Sequence, residues 1–486
     1  MRDTALFRGA GFFIPFGLAL ALFTGAGELR AEETGRASTL LSSPVPFYHD
    51  YNLAALFPVG KSGEEVQGGQ AQGQRQLRLD DCIDLALEKN PAHQKTHESL
   101  RATTGEIMAA WGEYMPTMSA YYNISQNNRT YSYVDPSGVI RAGGGISKST
   151  YTGLNIRYTL FDRAAKYFSM KNAYYLRDQR RSQLRSSELT LVNQVRQAYF
   201  NVLRQGKLLV AAREHADQRK EQLRLAEARF SVGSVTKLDV LQAQIELQNQ
   251  ELIIVQYENQ LLTARMDLSR IMGADLTEEL SLIDEFGVEE PRFEVGGLVK
   301  EALDNHPNIQ NLELSIKQQQ GDLWMGRLAY LPSLSTSASY QRSEDFLTIS
   351  PDDQKGRGLS FSINWNVLDA FSRFRQNRNL EAGLHNLRYD LATARLDIER
   401  NVRQSYLELL RLYQSHLALA ESKRLAQSSL ELEQERYRLG AASLLELRTA
   451  QVDYAQKEVD LINSVYDFHR ALSDLSANVG RDMSLR

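Results

Sequence analysis

Two histidines one helical turn apart, His93 and His97, are the pair best suited by type and spacing to hold a metal ion. A site needs further ligands, and no carboxylate or cysteine joins them at a standard spacing. The single cysteine, Cys82, lies among Leu79, Ile83 and Leu87 at helical spacing, where a thiol behaves as a small hydrophobe. With no second cysteine, an intramolecular disulfide is impossible. These residues point to neither a metal centre nor a covalent catalyst, and no cofactor or enzymatic activity is expected. A different chemistry is offered by two Arg-aromatic-x-x-Gly runs, Arg229-Phe230-x-x-Gly233 and Arg436-Tyr437-x-x-Gly440. Each is followed by an acid, Asp239 and Glu446. Charge is what such residues supply: a carboxylate in the first turn of a helix is favourable there, and a ring of carboxylates favours cations and repels anions.

The two runs belong to a long internal repeat. Val195-Arg-Gln-Ala-Tyr199 recurs as Val402-Arg-Gln-Ser-Tyr406, Leu238-Asp239 as Leu445-Glu446, Ala243-Gln244 as Ala450-Gln451, and Gly273 as Gly480, all at an offset of 207. Upstream, Asn90-Pro91 matches His306-Pro307 and Met115-Pro116 matches Leu331-Pro332, both at 216. The difference of nine residues must fall between Pro116 and Leu160. A period this long is two copies of a whole substructure, not a solenoid. The copy-two counterparts of His93 and His97 are Ile309 and Glu313, which removes the remaining case for a metal site.

Each copy opens with a helix of about 33 residues, Asp80–Gly112 and Val295–Ala329, ended by Pro116 and Pro332, which lack a backbone donor and restrict the preceding residue. Period-two segments follow. Met118, Ala120, Tyr122 and Ile124 alternate with polar residues, and Leu154, Ile156, Tyr158 and Leu160 do so on the return. In copy two, Leu334, Ala338 and Tyr340 are matched by Leu359, Phe361, Ile363, Trp365 and Val367. Strands of about ten residues suit a tilted membrane crossing. The predicted hairpins are 117–160 and 333–367, with polar, glycine-rich surface loops at Asn127–Ser149 and Arg342–Arg357.

A very long helix comes next, 162–232 and 369–439. Val195, Val202, Leu209, Ala216, Leu223 and Phe230 are spaced by seven, as in coiled-coil packing. Copy two keeps Val402, Leu409, Leu430 and Tyr437 but places His416 and Lys423 in the series. At 1.5 Å per residue such a helix spans roughly 105 Å. It breaks at Gly233 and Gly440, which suit the left-handed residue at a helix end, and Thr236 and Ser443 are suitable caps for a returning helix, 236–272 and 443–479. The opening and returning helices together match the long one, so stacked end to end they would run alongside it. The first repeat thus spans 77–273 and the second 295–480, with an equatorial linker at 274–294 and a tail at 481–486.

The formal net charge is −4, without a basic block, which gives no support to a nucleic-acid partner. Arg2 and Arg8, the apolar run from Gly9 to Phe23 and the small residues after it have the layout of a secretory signal peptide, assigned to 1–31. Residues 32–76, rich in Pro, Gly and Gln, read as a flexible lead-in. Beyond Phe23 no stretch approaches the ~18 apolar residues of a spanning helix, so any membrane crossing must use strands. One chain's four strands cannot close a barrel and eight leave an interior filled by side chains, so a duct needs at least three copies.

With Leu85-Ala-Leu-Glu-Lys-Asn-Pro91 and Pro116, Ala302-Leu-Asp-Asn-His-Pro307 and Pro332, and the two Arg-aromatic-x-x-Gly tips, the chain resembles the outer-membrane efflux (TolC) family from about Leu77 to Gly480. The resemblance implies a mainly α fold with a transmembrane β-barrel portion: duplicated helical hairpins forming a periplasmic tunnel, and a homotrimer with a twelve-stranded barrel in outer-membrane lipid. It implies an exit duct of a tripartite efflux or type I secretion system, working with a periplasmic adaptor and an inner-membrane transporter. It further implies that Val232-Gly233-Ser234 and Leu439-Gly440-Ala441 are adaptor-docking turns and that Asp239 and Glu446 narrow the closed end, with Arg229 and Arg436 as pairing candidates. Where some members carry a second acid one turn on, this chain has Thr449. The alternative is a coiled-coil scaffold or adhesin of the cell envelope, which would not need membrane-length strands at the same place in both copies. A conduit selects by lumen width and charge, so drug, metal and protein cargo are all compatible with it.

Overall fold

The computed structural model describes residues 76–275, 281–345, 353–439 and 441–481. The expected signal peptide, the lead-in up to residue 75, Gly440 and the tail from 482 lie outside the described residues.

The first repeat begins with a two-residue strand β1 (Gln76–Leu77), then α1 (Leu79–Lys89) and α2 (Pro91–Gly112). The second begins with α5 (Val295–Asn305) and α6 (Pro307–Leu328). The single opening helix expected in each copy is therefore two. Pro91 and Pro307 stand at the first position of the second helix, and the preceding Asn90 and His306 are extended (ψ 122° and 128°), as a residue before proline tends to be. Asn90 fills the break by accepting from the amides of Ala92 and His93 and donating to Ile271 O at 2.8 Å.

After Pro116 the chain enters β2 (Thr117–Val134) and β3 (Ile140–Phe161); after Pro332 it enters β5 (Ser333–Asp345) and β6 (Asp353–Asn364). The strand β4 (Ser281–Leu282) belongs to the linker and pairs in parallel with β1, so Gln76 is ordered into a strand instead of ending the lead-in. The long strands form one antiparallel sheet in the order β2-β3-β5-β6. The structure departs from the expected loops and strand ends at three places. The stretch Arg342–Arg357 is loop only in part, since Arg342↔Lys355, Ser343↔Gln354 and Glu344↔Asp353 are ladder pairs. The stretch Asn127–Ser149 is not a loop: ladder pairing runs from Asn127↔Ser147 to Val134↔Ile140. The turn is short, with Asp135 accepting from the amides of Ser137 and Val139 and Gly138 at φ +82°. The first hairpin is thus well beyond ten residues per strand. In copy two, β6 stops at Asn364, so Trp365 and Val367 lie beyond the strand, and the Trp365 indole donates to Tyr330 O at 3.0 Å.

The register explains the alternation. Met118↔Ile156↔Ala338↔Leu359 and Ala120↔Leu154↔Tyr340 lie on one face across the sheet, and Ser119↔Asn155↔Ser339 and Arg157↔Ser337↔Ser360 lie on the other. A bulge at Leu160 puts Phe161, not Leu160, opposite Leu334. The apolar face is exposed in the single chain, with Met118, Phe361 and Ile363 all more than three-fifths accessible.

Two helices of 67 residues follow, α3 (Ala165–Ser231) and α7 (Ser372–Arg438), each roughly 100 Å long. They start three residues later than expected because Arg163-Ala164 and Ala370-Phe371 are left-handed (φ 50° to 65°). Asp162 and Asp369 accept from the amides of Lys166 and Arg373 across that kink, which holds the first turn. The returning helices are α4 (Lys237–Met272) and α8 (Leu444–Val479), with Thr236 and Ser443 as caps outside them. Above, the helices pack side by side as α2-α3-α6-α7, beneath β2-β3-β5-β6 in the same order; below, they pack as α4-α3-α8-α7. The result is an open wall, whose free margins are α2 and α4 with β2 on one side and α7 with β6 on the other. Its apolar core is at the equator, where Val195, Tyr199, Leu268 and Met272 of repeat one and Val402, Leu409, Phe468 and Leu475 of repeat two are buried.

Candidate functional site

At the far end from the strands, both hairpins turn on the residues singled out by type and spacing. Gly233 ends α3 at φ +76°; its amide donates to Phe230 O at 2.9 Å and that of Ser234 to Arg229 O at 3.0 Å. Only a residue without a Cβ adopts this conformation freely. In repeat two the amide of Ala441 donates to Arg436 O at 2.8 Å, and Gly440 itself is not among the described residues. Val232 and Leu439 stand about three-quarters exposed, so each turn presents an apolar knob to solvent.

Asp239 and Glu446 occupy equivalent places, three residues after the caps. Asp239 Oδ2 accepts from Thr236 N and Oγ1, both at 2.8 Å, while Thr236 Oγ1 accepts from Asp239 N at 3.3 Å. Glu446 Oε2 accepts from Ser443 N at 2.7 Å and Oγ at 3.0 Å. Both are capping boxes, whose signature Thr/Ser-x-x-Asp/Glu stands in the sequence of each copy. The amide donated by the cap residue holds each carboxyl below its ordinary value, with the cap hydroxyl second and, for Glu446, a smaller contribution from Arg436. Each acid therefore stays ionised and fixed to its own helix start.

The arginines go elsewhere. Among the described residues neither Arg229 nor Arg436 forms an ion pair with Asp239 or Glu446. Arg229 lies over the Tyr437 ring, 5.1 Å from its centroid, and so reaches from the end of α3 to the end of α7. Arg436 pairs with Glu433 at 2.6 Å on its own helix. The contacts that join the two tips were missed in the sequence: Arg448 of α8 pairs with Glu246 of α4, and Arg219 of α3 donates to Gln451 of α8. Their signal was available in the mismatch between copies, since the position equivalent to Arg448 is Leu241. Together these residues line a cleft of about 440 Å³ between the hairpin tips, with Leu225, Val235, Leu447 and Tyr437 supplying apolar walls. No member of this set is placed for bond-breaking chemistry: the acids are bound to caps and the bases to acids, amides or a ring. His93 is buried at the start of α2, far along the chain from the tips, and no cluster of three metal-binding side chains occurs among the described residues.

Pro116 and Pro332 each stand immediately before the first residue of a strand, at the boundary where helix gives way to sheet.

Comparison with known proteins gives a coherent answer. The chain is 22% identical over 444 residues to Protein CyaE of Bordetella pertussis, covering 90% of each chain. It is 24% identical over 404 residues to Outer membrane protein TolC of Escherichia coli, covering 78% of this chain and 77% of that one. Among solved structures, the Campylobacter jejuni CmeC outer membrane channel superposes with a TM-score of 0.70 at 16% identity, over 83% of this chain and 85% of that chain. The family model described as outer membrane efflux protein matches residues 82–274 and 298–481, one match for each repeat. The chain belongs to that family: it is an outer-membrane protein with a large periplasmic portion, and not an enzyme.

Proposed function

We propose that this outer membrane efflux protein works as a homotrimer whose three four-stranded sheets close a twelve-stranded barrel and whose three helical walls close a periplasmic tube. The single observation that carries this reading is the match of margins. The sheet ends in β2 and β6 and the wall ends in α2 with α4 and in α7, so one copy presents the same two margins from barrel to tip. An unpaired strand edge in a membrane leaves backbone groups unsatisfied, and joining β6 of one copy to β2 of the next removes every such edge. The exposed apolar face would then meet lipid and the Ser, Thr and Asn face would line the lumen, which is the polarity of an outer-membrane barrel. Eight strands would leave no lumen, whereas twelve do.

In this reading the chain passes cargo from an inner-membrane transporter, through a periplasmic adaptor, to the exterior, as an efflux or type I secretion duct. The tips are its periplasmic gate. Asp239 and Glu446, repeated around the axis, form a negative constriction; Arg229, over the Tyr437 ring, holds the end of α3 to that of α7, and Arg436 braces the end of its own helix. The turns Val232-Gly233-Ser234 and Leu439-Gly440-Ala441 are where the adaptor docks, their exposed valine and leucine supplying the apolar contact. The pump sets the cargo.

Outer-membrane fractions should yield a heat-resistant species of three chains, and the purified species should conduct in planar bilayers. A soluble monomer that does not conduct would refute the duct and favour an envelope scaffold. Photo-crosslinking from position 233 in cells should capture an adaptor.

A further inference from the structure

Arg204 on α3 and Arg411 on α7 occupy the same position of the two repeats, offset by 207, yet they are partnered differently. Arg411 is bidentate with Glu408, one turn before it, at 2.6 and 2.8 Å, and its side chain is 62% exposed. In repeat one the place of Glu408 is taken by Asn201, so Arg204 donates to a neutral amide oxygen at 2.7 Å. Its side chain is only 23% exposed. The arginine with more water keeps an acid of its own, and the arginine with less water has lost it. Burying a charge without a full counter-charge is costly.

Across the seam between the repeats, α8 brings one carboxylate, Asp467, and a second guanidinium, Arg470. Asp467 Oδ1 lies 3.8 Å from both Arg204 Nη1 and Arg470 Nη1, too far for a hydrogen bond to either. The Nε of each arginine is shielded from solvent and has no protein acceptor. Arg411 stands in the field of the same carboxylate. The next acid along α8, Asp474, accepts from Asn193 and Gln197, and Asp267 of α4 lies 3.8 Å from Arg270 of its own helix. Burial, opposed by Asp467 and reinforced by Arg470, holds the Arg204 guanidinium below its ordinary value. The returning helix of repeat one carries neither charge: the positions equivalent to Asp467 and Arg470 are Gln260 and Thr263.

These groups border one groove. Gln197, Asn201 and Arg204 recur at steps of three and four on the face of α3 opposite Val195, Tyr199 and Leu203, so they lie away from the linker that packs on Tyr199. Helices α4 and α8 flank that face, and the space among the three is about 780 Å³. We infer that this groove is a binding site for an oxyanion, a phosphate or a carboxylate, held by the Arg204 and Arg470 guanidiniums together. A guanidinium presents paired N–H donors that match the oxygens of either group. The ligand supplies the counter-charge that repeat two builds in as Glu408 and repeat one leaves out. The site lies within one chain, so it stands whether or not three copies close a duct.

Full-length protein in detergent would be melted in rising sodium phosphate, glycerol 3-phosphate or sodium chloride, all at matched ionic strength. The Tm should rise with phosphate beyond its value in chloride, as binding to the folded state alone requires. Asn201→Glu gives Arg204 the acid that Arg411 has; it should melt at least as high in chloride and lose the phosphate response. Arg470→Thr, the residue that repeat one has at that place, should need roughly tenfold more phosphate for the same shift, the loss expected for one charged hydrogen-bonding partner. Should either variant fail to fold, the other decides. A stronger response to glycerol 3-phosphate than to phosphate would identify an oxyanion carried on a larger molecule, and an equal or weaker one a free ion. A wild type that responds to neither beyond chloride would overturn the site. So would a response shared unchanged by both variants, since that is the general stabilisation phosphate gives to folded proteins.

Discussion

The equator and the tips of the helical wall share the helices α3, α4, α7 and α8, yet they are held in opposite ways. At the equator, each repeat buries large side chains completely: Tyr199, Leu268 and Met272 in one, Leu409, Phe468 and Leu475 in the other. The Tyr199 hydroxyl donates to Ile283 O at 2.6 Å, just past β4, and lies 3.2 Å from Leu77 O of β1, so it sits where the two short strands meet. Phe200 and Phe286 meet the Tyr199 ring edge-on, His469 stacks on Phe200, and burial pushes His469 down to about 4, so it stays neutral there. At the tips the apolar cluster shrinks to Leu430, Leu447 and Ala450, with Tyr437 and Tyr454 half-buried against it. What joins the hairpins there is an ion pair, a cation over a ring and one side-chain amide. Burial is hard to undo locally, whereas exposed polar contacts exchange readily for water. The equator is thus the fixed collar of the wall, and the tips are the part free to rearrange.

The largest effect should come from emptying the collar. Phe468→Ala removes a fully buried ring and should cost about 3–5 kcal/mol, seen as loss of the heat-resistant oligomer or a lower denaturation midpoint. A change below about 1 kcal/mol would show that the collar is not the anchor. A more direct contrast uses one substitution at two glycines in the same conformation. Gly273 at the collar (φ +68°) and Gly233 at the tip (φ +76°) are both left-handed, so alanine costs about 1–2 kcal/mol of backbone energy at each. At Gly273 an added Cβ would sit 2.6 Å from Lys89 O, whereas at Gly233 it meets nothing within 4 Å. Gly273→Ala should therefore destabilise by roughly 1–3 kcal/mol more than Gly233→Ala. Equal losses in parallel denaturation curves would remove the distinction between the two regions.

Much of this architecture was legible in the chain because duplication and periodicity record packing directly. The 207-residue offset carries over to α3 and α7 of equal length and to α4 and α8 of equal length, and the apolar alternation at Met118, Ala120 and Tyr122 became one face of a sheet. What escaped notice were local choices where two rules compete. Pro91 and Pro307 fit a helix start as well as a helix stop, and extended residues before them decided the matter. The polar stretch around Gly143 lacks the apolar signal of a strand, yet backbone pairing continues through it to the turn at Asp135. At the tips, the acids and glycines were marked by type and spacing. Their partners were not, because Arg229 on Tyr437 and Arg448 on Glu246 are meetings between repeats, and a sequence written along one helix does not show which neighbour it will face.

The smallest energy and the most specific effect should belong to that last contact. Glu246 and Arg448 join α4 of one repeat to α8 of the other near the tip, with side chains 23% and 49% exposed. An accessible pair of this kind is worth about 0–1 kcal/mol after solvent screening, so Arg448→Gln should leave the denaturation midpoint almost unchanged. Opening is a different quantity, because a wall that is fixed at the collar concentrates rearrangement at its free end. There the same fraction of a kcal/mol raises the open population by a few-fold, readable as more frequent long openings in planar bilayers. The neighbouring acids Asp239 and Glu446 are held below their ordinary values, so their capping contribution is fully present above the ordinary carboxyl pKa and is lost as pH falls through the lowered one, which the denaturation midpoint on acidification would show. An Arg448→Gln variant whose melting fell as far as that of Phe468→Ala would instead mean that the tip is as much an anchor as the collar.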